Sequence, residues 1–218
     1  MIRALNANDF VYILAAARWT LALSLTAVLG GGVIGIAIAM ARLSRFALLR
    51  GAGIGYIQAF QATPLLMQLF LVFFGGSYLG VRFDPWTAAA IAFTLNASAF
   101  LADIWHASVR AVPASQWEAA RSLALSAWST LRLVIVPQAG RIAVAPTVGF
   151  LVQLIKSTSL ASIIGFVEVV RAGQFITNST LQPLYVYGFV ACLFFAICWP
   201  LAQLSRMLEA RLARGYQR

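Results

Sequence analysis

The chain's single lysine, Lys156, lies in an apolar run behind Leu154 and Ile155 and is followed at once by Ser157, Thr158 and Ser159. An ammonium in such a run demands a counter-charge, and hydroxyls beside it can orient a carboxylate. Lys156 with Ser157 and Ser159 is therefore a candidate receiver for an anionic group. The alternative use is structural, with the ammonium paired to a carboxylate such as Asp103 or to helix-end carbonyls. Two other apolar stretches carry neutral polar groups: Thr63 and Gln68 on either side of Pro64, and Asn96 and Ser98 after Thr94. Amides and hydroxyls at mid-depth either line a pocket or bond a neighbouring helix, and both uses stay open. Catalytic machinery is not evident. His106, the one histidine, has no catalytic partner in view, no residues have metal-ligand spacing, and no Gly-x4-Gly-Lys-[Ser/Thr] loop is present to hold a nucleotide.

The elements that carry these groups follow from composition. Of 218 residues, 61% are hydrophobic and 10% charged, with a mean hydropathy of +0.86. That exceeds what a water-facing surface tolerates and points to a bilayer. In hydrocarbon only helices or a closed barrel satisfy the backbone, and long uninterrupted apolar runs favour helices. The expectation is an all-α integral membrane protein with about five crossings, near 19–41, 54–80, 85–105, 143–165 and 184–204. The first is free of charge between Arg18 and Arg42; at about 1.5 Å per residue it reaches roughly 35 Å. Pro64 predicts a kink in the second, because it frees the carbonyl of Phe60. Ala27, Gly31, Gly35 and Ala39 recur every four residues and predict a close helix contact, inside one subunit or between two. Cys192 and Cys198, about 9 Å apart along one helix, are too far apart for a disulfide.

Residues 1–18 are expected to be an extracytoplasmic segment, with a short surface helix anchored by Phe10, Tyr12 and Trp19; residues 211–218 are expected to form a cytoplasmic tail. With the first helix running inward, eleven arginines fall on the cytoplasmic side: Arg42, Arg45, Arg50, Arg110, Arg121, Arg132, Arg141, Arg206, Arg211, Arg214 and Arg218. Only Arg3, Arg18, Arg82 and Arg171 fall outside, so the N-terminus is read as out and the C-terminus as in. The net charge of +10 is then an orientation signal and an attraction for anionic membrane lipid. A nucleic-acid partner is not indicated, because no basic patch with interleaved aromatics is free of the membrane.

The longest polar stretch lies between the third and fourth crossings. Pro113 suits the first turn of a helix, Ser126 can cap a second, and Pro137 is expected to stop it, giving a hairpin over 112–137 with its elbow at Ala124. Here Glu118, Ala119 and Ala120 are followed by three residues, Ala124, nine residues, then Val134, Val136 and Pro137. That spacing resembles the cytoplasmic signature of ABC importer permeases, in which a glycine stands where this chain has Ala124. "QATPLLMQLF", "SVRAVPASQWEAARSL" and "KSTSLASIIG" resemble segments of the branch that imports polar amino acids, and the resemblance extends over about residues 19 to 210.

The resemblance implies a permease subunit in a bacterial inner membrane. Glu118, Ala119, Ala120, Arg121, Ala124, Val134 and Pro137 would couple it to a cytoplasmic ATP-binding-cassette ATPase dimer, which would carry the ATP and Mg. It also implies a second permease subunit, identical or a sister chain, and an extracytoplasmic solute-binding protein that delivers a polar amino acid. No cofactor is expected in this chain. The candidate substrate-binding residues are Thr63, Gln68, Asn96, Ser98, Lys156, Ser157 and Ser159. Ala124 departs from the pattern: a left-handed elbow there would cost about 1 kcal/mol or more, so either the elbow is right-handed or the coupling is looser. The rival readings are an ABC permease for another small polar solute, a self-sufficient ion-coupled carrier or channel, and a membrane enzyme.

Overall fold

The computed structural model describes residues 3–215, with side chains as far as Arg211. Met1, Ile2 and residues 216–218, including Arg218 of the expected tail, lie outside the described residues, as does the side chain of Arg214. The described elements are helical throughout: α1 (Ala7–Leu43), α2 (Ala47–Ala62), α3 (Leu65–Tyr78), α4 (Pro85–Arg110), α5 (Ala114–Ser122), α6 (Ala127–Ser129), α7 (Val136–Ser157), α8 (Val169–Thr180) and α9 (Pro183–Gly215). Four stretches are long and apolar enough to cross a membrane, and the bent pair α2 and α3 makes a fifth.

The separate surface helix expected before residue 18 does not form. Asn6 accepts from the Asp9 N–H at 3.2 Å while the Asp9 carboxylate accepts from the Asn6 N–H at 3.0 Å, a reciprocal cap that starts the helix at Ala7. No glycine or proline follows before Gly30, so α1 continues through Arg18 as one rod of 37 residues. At about 1.5 Å per residue that is roughly 55 Å, well beyond a hydrocarbon core of about 30 Å.

At Thr63–Pro64 the chain does more than kink. Thr63 is extended, as residues before proline prefer to be, and α2 and α3 meet at 99°. Pro137, by contrast, does not stop the helix that enters it. The wide turn over Thr130–Ile135 brings Pro137 into the first turn of α7, where a missing N–H costs nothing. Ala127 to Ile164 thus runs on as one 38-residue apolar stretch.

α4 is the centre of the bundle, and α1 lies against it. The stripe Ala27, Gly31, Gly35 and Ala39 is buried. A Cβ on Gly31 would fall 2.7 Å from the Ala97 Cβ, and one on Gly35 3.1 Å from the Ser98 carbonyl oxygen. The stripe is therefore a seam inside the subunit. Lipid offers helices no hydrophobic drive to associate, so this backbone approach and its van der Waals contact hold the pair. Leu23, Leu69, Phe93, Ala97 and Leu154 form the main buried cluster. A second, around Ile13, Val169, Ala172 and Val186, joins α1, α8 and α9.

Candidate functional site

Two regions draw the candidate residues together: the α5–α6 elbow and a small cavity of mixed lining beside the α2–α3 break. At the elbow, α5 ends in paired 6→1 and 5→2 hydrogen bonds: Leu125 N–H donates to the Ala120 carbonyl at 3.2 Å and Ala124 N–H to the Arg121 carbonyl at 2.9 Å. This motif wants a left-handed residue at Ala124, and Ala124 is one, with φ 55°. The right-handed elbow that alanine would prefer is not what forms. Ser126 caps the second helix as expected, accepting from the Ser129 N–H at 3.2 Å.

The two arms are tied together behind the elbow. Val109, Val112, Ile135 and Ala139 form a buried cluster that Trp117 and Val134 flank. Gln138 Nε2 donates to Gln116 Oε1 at 3.1 Å. Ala120 is buried on this inner side, whereas Glu118, Ala119, Arg121, Ala124 and Pro137 are exposed, and Leu123 at the tip is 75% exposed. A hairpin with a firm back and an apolar, charged front is a surface suited to receive another protein.

The cavity, of about 150 Å3, lies between the α2–α3 break, α4 and α7. Thr63, Asn96 and Ser157 line it together with Gln61 and Gln153. Gln68 stands behind them, buried and off the cavity wall. Its Nε2 donates to the Phe60 carbonyl at 2.8 Å, the Thr63 carbonyl at 3.0 Å and Thr63 Oγ1 at 2.9 Å. Gln68 thus takes up the very carbonyl that Pro64 frees. Asn96 Nδ2 donates to Gln68 Oε1 at 3.0 Å.

Ser98 is off the cavity too, with its hydroxyl on the Leu95 carbonyl at 2.7 Å and against the Tyr56 hydroxyl at 2.7 Å. Lys156 and Ser159 do not line it: Lys156 is exposed on the subunit's flank, and Ser159 Oγ donates to the Lys156 carbonyl at 2.8 Å. Asp103 is paired elsewhere, accepting from Arg42 Nη1 at 2.5 Å and from Gln61 Nε2 at 3.3 Å. That triad ties α1 and α2 to α4.

One residue of the cavity wall escaped the sequence reading. Gln153 lies one turn before Ser157 on the same helix face, a spacing that could have revealed it. Glu168 does not line the cavity. It is fully buried at the start of α8, where its carboxylate accepts from the Val170 and Arg171 N–H groups at 2.9 Å each. Burial pushes its carboxyl up to about 7, the two N–H bonds pulling the other way.

Comparison with known proteins adds to this geometry. The profile of the family described as "Binding-protein-dependent transport system inner membrane component" matches residues 31–214. The probable amino-acid ABC transporter permease protein YckA of Bacillus subtilis is 37% identical over 206 residues, 94% of this chain and 91% of that one. The L-cystine transport system permease protein TcyB of the same organism is 36% identical over 197 residues, 90% and 84% of the two chains. Among solved structures, an amino acid ABC transporter crystallised with histidines superposes with a TM-score of 0.89 at 28% identity, covering 96% of this chain and all of that one. The MetNI methionine ABC transporter, at 18% identity and a TM-score of 0.78, shares the fold.

Proposed function

The chain belongs to the binding-protein-dependent transport system inner membrane component family, and on that premise we propose how its geometry carries a polar amino acid across the membrane. It is a multi-pass permease subunit of an ABC importer in a bacterial inner membrane, and its relatives serve amino acids. The single observation that carries the mechanism is the elbow: Glu118, Ala119 and Arg121 stand exposed on a short helix whose end is pinned by the left-handed Ala124 and whose back is packed.

In this reading the hairpin faces the cytoplasm and seats on an ATPase dimer. Glu118, Arg121 and Leu123 meet it, and Val134 and Pro137 pass the push into α7. When the ATPases close on ATP, the hairpin moves as a rigid body, because its arms share a core and the Gln116–Gln138 bond. α7 leads from the hairpin to Gln153 and Ser157, so movement of the hairpin changes the shape of the cavity they line. A binding protein delivers substrate from the other side, and a second permease subunit completes the pathway.

The cavity suits a zwitterionic cargo with an apolar part: Phe60, Leu65, Phe100, Phe150 and Leu154 form its apolar walls, its polar groups are amides and hydroxyls, and no fixed charge lines it. Thr63, Asn96 and Ser157 are proposed as its direct contacts, Gln68 and Ser98 as their supports. Lys156 and Ser159, outside the cavity, are proposed to meet the substrate carboxylate on the side that the second permease subunit closes.

The test is uptake of labelled amino acids by vesicles containing the permease, with and without the ATPase, ATP and binding protein. Uptake that needs all three supports the importer. Uptake by the permease alone would establish a carrier or channel instead.

A further inference from the structure

Between α1, α4 and the stretch from Trp128 to Val148 runs an open trough of about 700 Å3. Ile36, Met40, Trp105, Leu131, Ala143 and Val148 are typical of its walls. Two polar side chains reach it. Thr147 is one, and its hydroxyl already accepts from Trp105 Nε1 at 3.2 Å. Arg132 is the other, exposed and outside the two ion pairs found among the described residues, Arg3–Asp9 and Arg42–Asp103. The trough is therefore apolar along its length, with one uncompensated guanidinium at its hairpin end.

Its dimensions narrow the choice of occupant. From Arg132 to Val148 the chain rises roughly 24 Å at about 1.5 Å per residue, against a hydrocarbon half-thickness of about 15 Å. That accommodates a headgroup and the chain of a single leaflet and stops short of the full span that a second transmembrane helix would cover. Charge narrows it further. Glu118 is the only carboxylate between residues 104 and 167, a region that holds Arg110, Arg121, Arg132 and Arg141. Trp105 and Trp128 stand on the trough wall, the amphipathic type of side chain enriched at headgroup depth.

We propose that this trough binds an anionic phospholipid of the hairpin-side leaflet, its phosphate on Arg132 and an acyl chain lying along Leu131, Ala143 and Val148. The guanidinium fork matches a phosphate oxygen pair, and the bound chain fills apolar volume that the subunit leaves open. The lipid would wedge the wide turn over Thr130–Ile135, the part of the hairpin that leads into α7.

The groove can be plugged without disturbing the backbone, because a Cβ added at Gly140 meets nothing within 4 Å. The full-length permease is placed in phosphatidylcholine vesicles containing graded phosphatidylglycerol, either lipid carrying dibrominated acyl chains that quench tryptophan on contact. The signal read is the part lost in Trp128→Phe. We expect brominated phosphatidylglycerol to quench it at several-fold lower mole fraction than brominated phosphatidylcholine. Arg132→Gln should make the two lipids equal, and Gly140→Phe should abolish the quenching that Gly140→Ala retains. Should Gly140→Phe fail to fold, the Arg132→Gln comparison decides alone. Equal quenching by both lipids in the unaltered chain would overturn the proposal. So would unchanged selectivity in Arg132→Gln, or a Gly140→Cys disulfide linking two copies of the chain through the trough.

Discussion

Asn96 donates one hydrogen bond to Gln68, Nδ2 to Oε1 at 3.0 Å across 28 residues of sequence, and the direction of that bond is dictated at the α2–α3 break. The Phe60 and Thr63 carbonyls at the α2–α3 break can only accept, so Gln68 must turn its nitrogen toward them. Its oxygen then faces Asn96, Asn96 must answer with its own nitrogen, and the Asn96 oxygen is left for the cavity. A helix break thereby sets the polarity of a pocket wall.

Gln68→Leu should therefore damage both. It leaves the Phe60 carbonyl without a partner, which costs about 1–3 kcal/mol, and it frees Asn96 to rotate. The expected result is a lower unfolding temperature of the purified permease together with reduced uptake. Loss of uptake at an unchanged unfolding temperature would show that Gln68 does not hold the break.

Ala124 is held at φ 55°, in the region that glycine occupies at little cost. Ala124→Gly should relieve about 1 kcal/mol locally, and Ala124→Val should add strain. Thermal unfolding of the two variants measures this; stabilisation by valine would contradict a left-handed elbow.

Gly31 allows α1 and α4 to touch backbone to backbone. Gly31→Val should force them apart and abolish a stable monodisperse subunit, whereas the same change at Gly51, which has open space around it, should be tolerated. Size-exclusion profiles in detergent distinguish the two.

Glu168 gives stability a pH dependence. Its folded-state carboxyl is raised to about 7 from a reference of 4.5, so the folded chain holds that proton more tightly than the unfolded one. The stabilisation this provides is full below pH 4.5, declines as pH rises toward 7 and is gone above it, a span worth roughly 3 kcal/mol at most. Glu168→Gln should flatten the slope of unfolding temperature against pH in that window and raise the unfolding temperature at pH 8.

Much of this architecture was legible because hydrocarbon leaves a chain few choices. Uncharged runs gave helices, Pro64 gave a kink that the structure deepens to a break, and the four-residue recurrence of small residues gave a close helix contact that the structure places between α1 and α4. The signature spacing around Glu118 and Pro137 located the hairpin and Ser126 its second cap. Local signals misled where tertiary or neighbouring geometry overrode them. Arg18 bounds an uncharged run, but no helix ends or begins there: it is exposed on the continuous α1 and lies over Trp19 at 5.4 Å. Pro137 looked like a stop because the wide turn ahead of it leaves no mark in residue type. Lys156 could be placed by its depth along the helix, which says nothing of which way it faces, and it faces away from the cavity. Gln68 and Asn96 could be named as polar groups at depth, but only their contacts show that one lines the cavity and the other supports it.

The central claim is that the hairpin couples this subunit to an ATPase. Cysteines placed at Glu118 or Leu123, with the ATPase subunits co-expressed, test it most directly by crosslinking followed by identification of the captured chain. The account predicts capture of the ATP-binding-cassette subunit from both positions, and weaker capture from a cysteine at Gly51, outside the hairpin. Capture of no ATPase from either hairpin position, in vesicles that still take up amino acid, would contradict it.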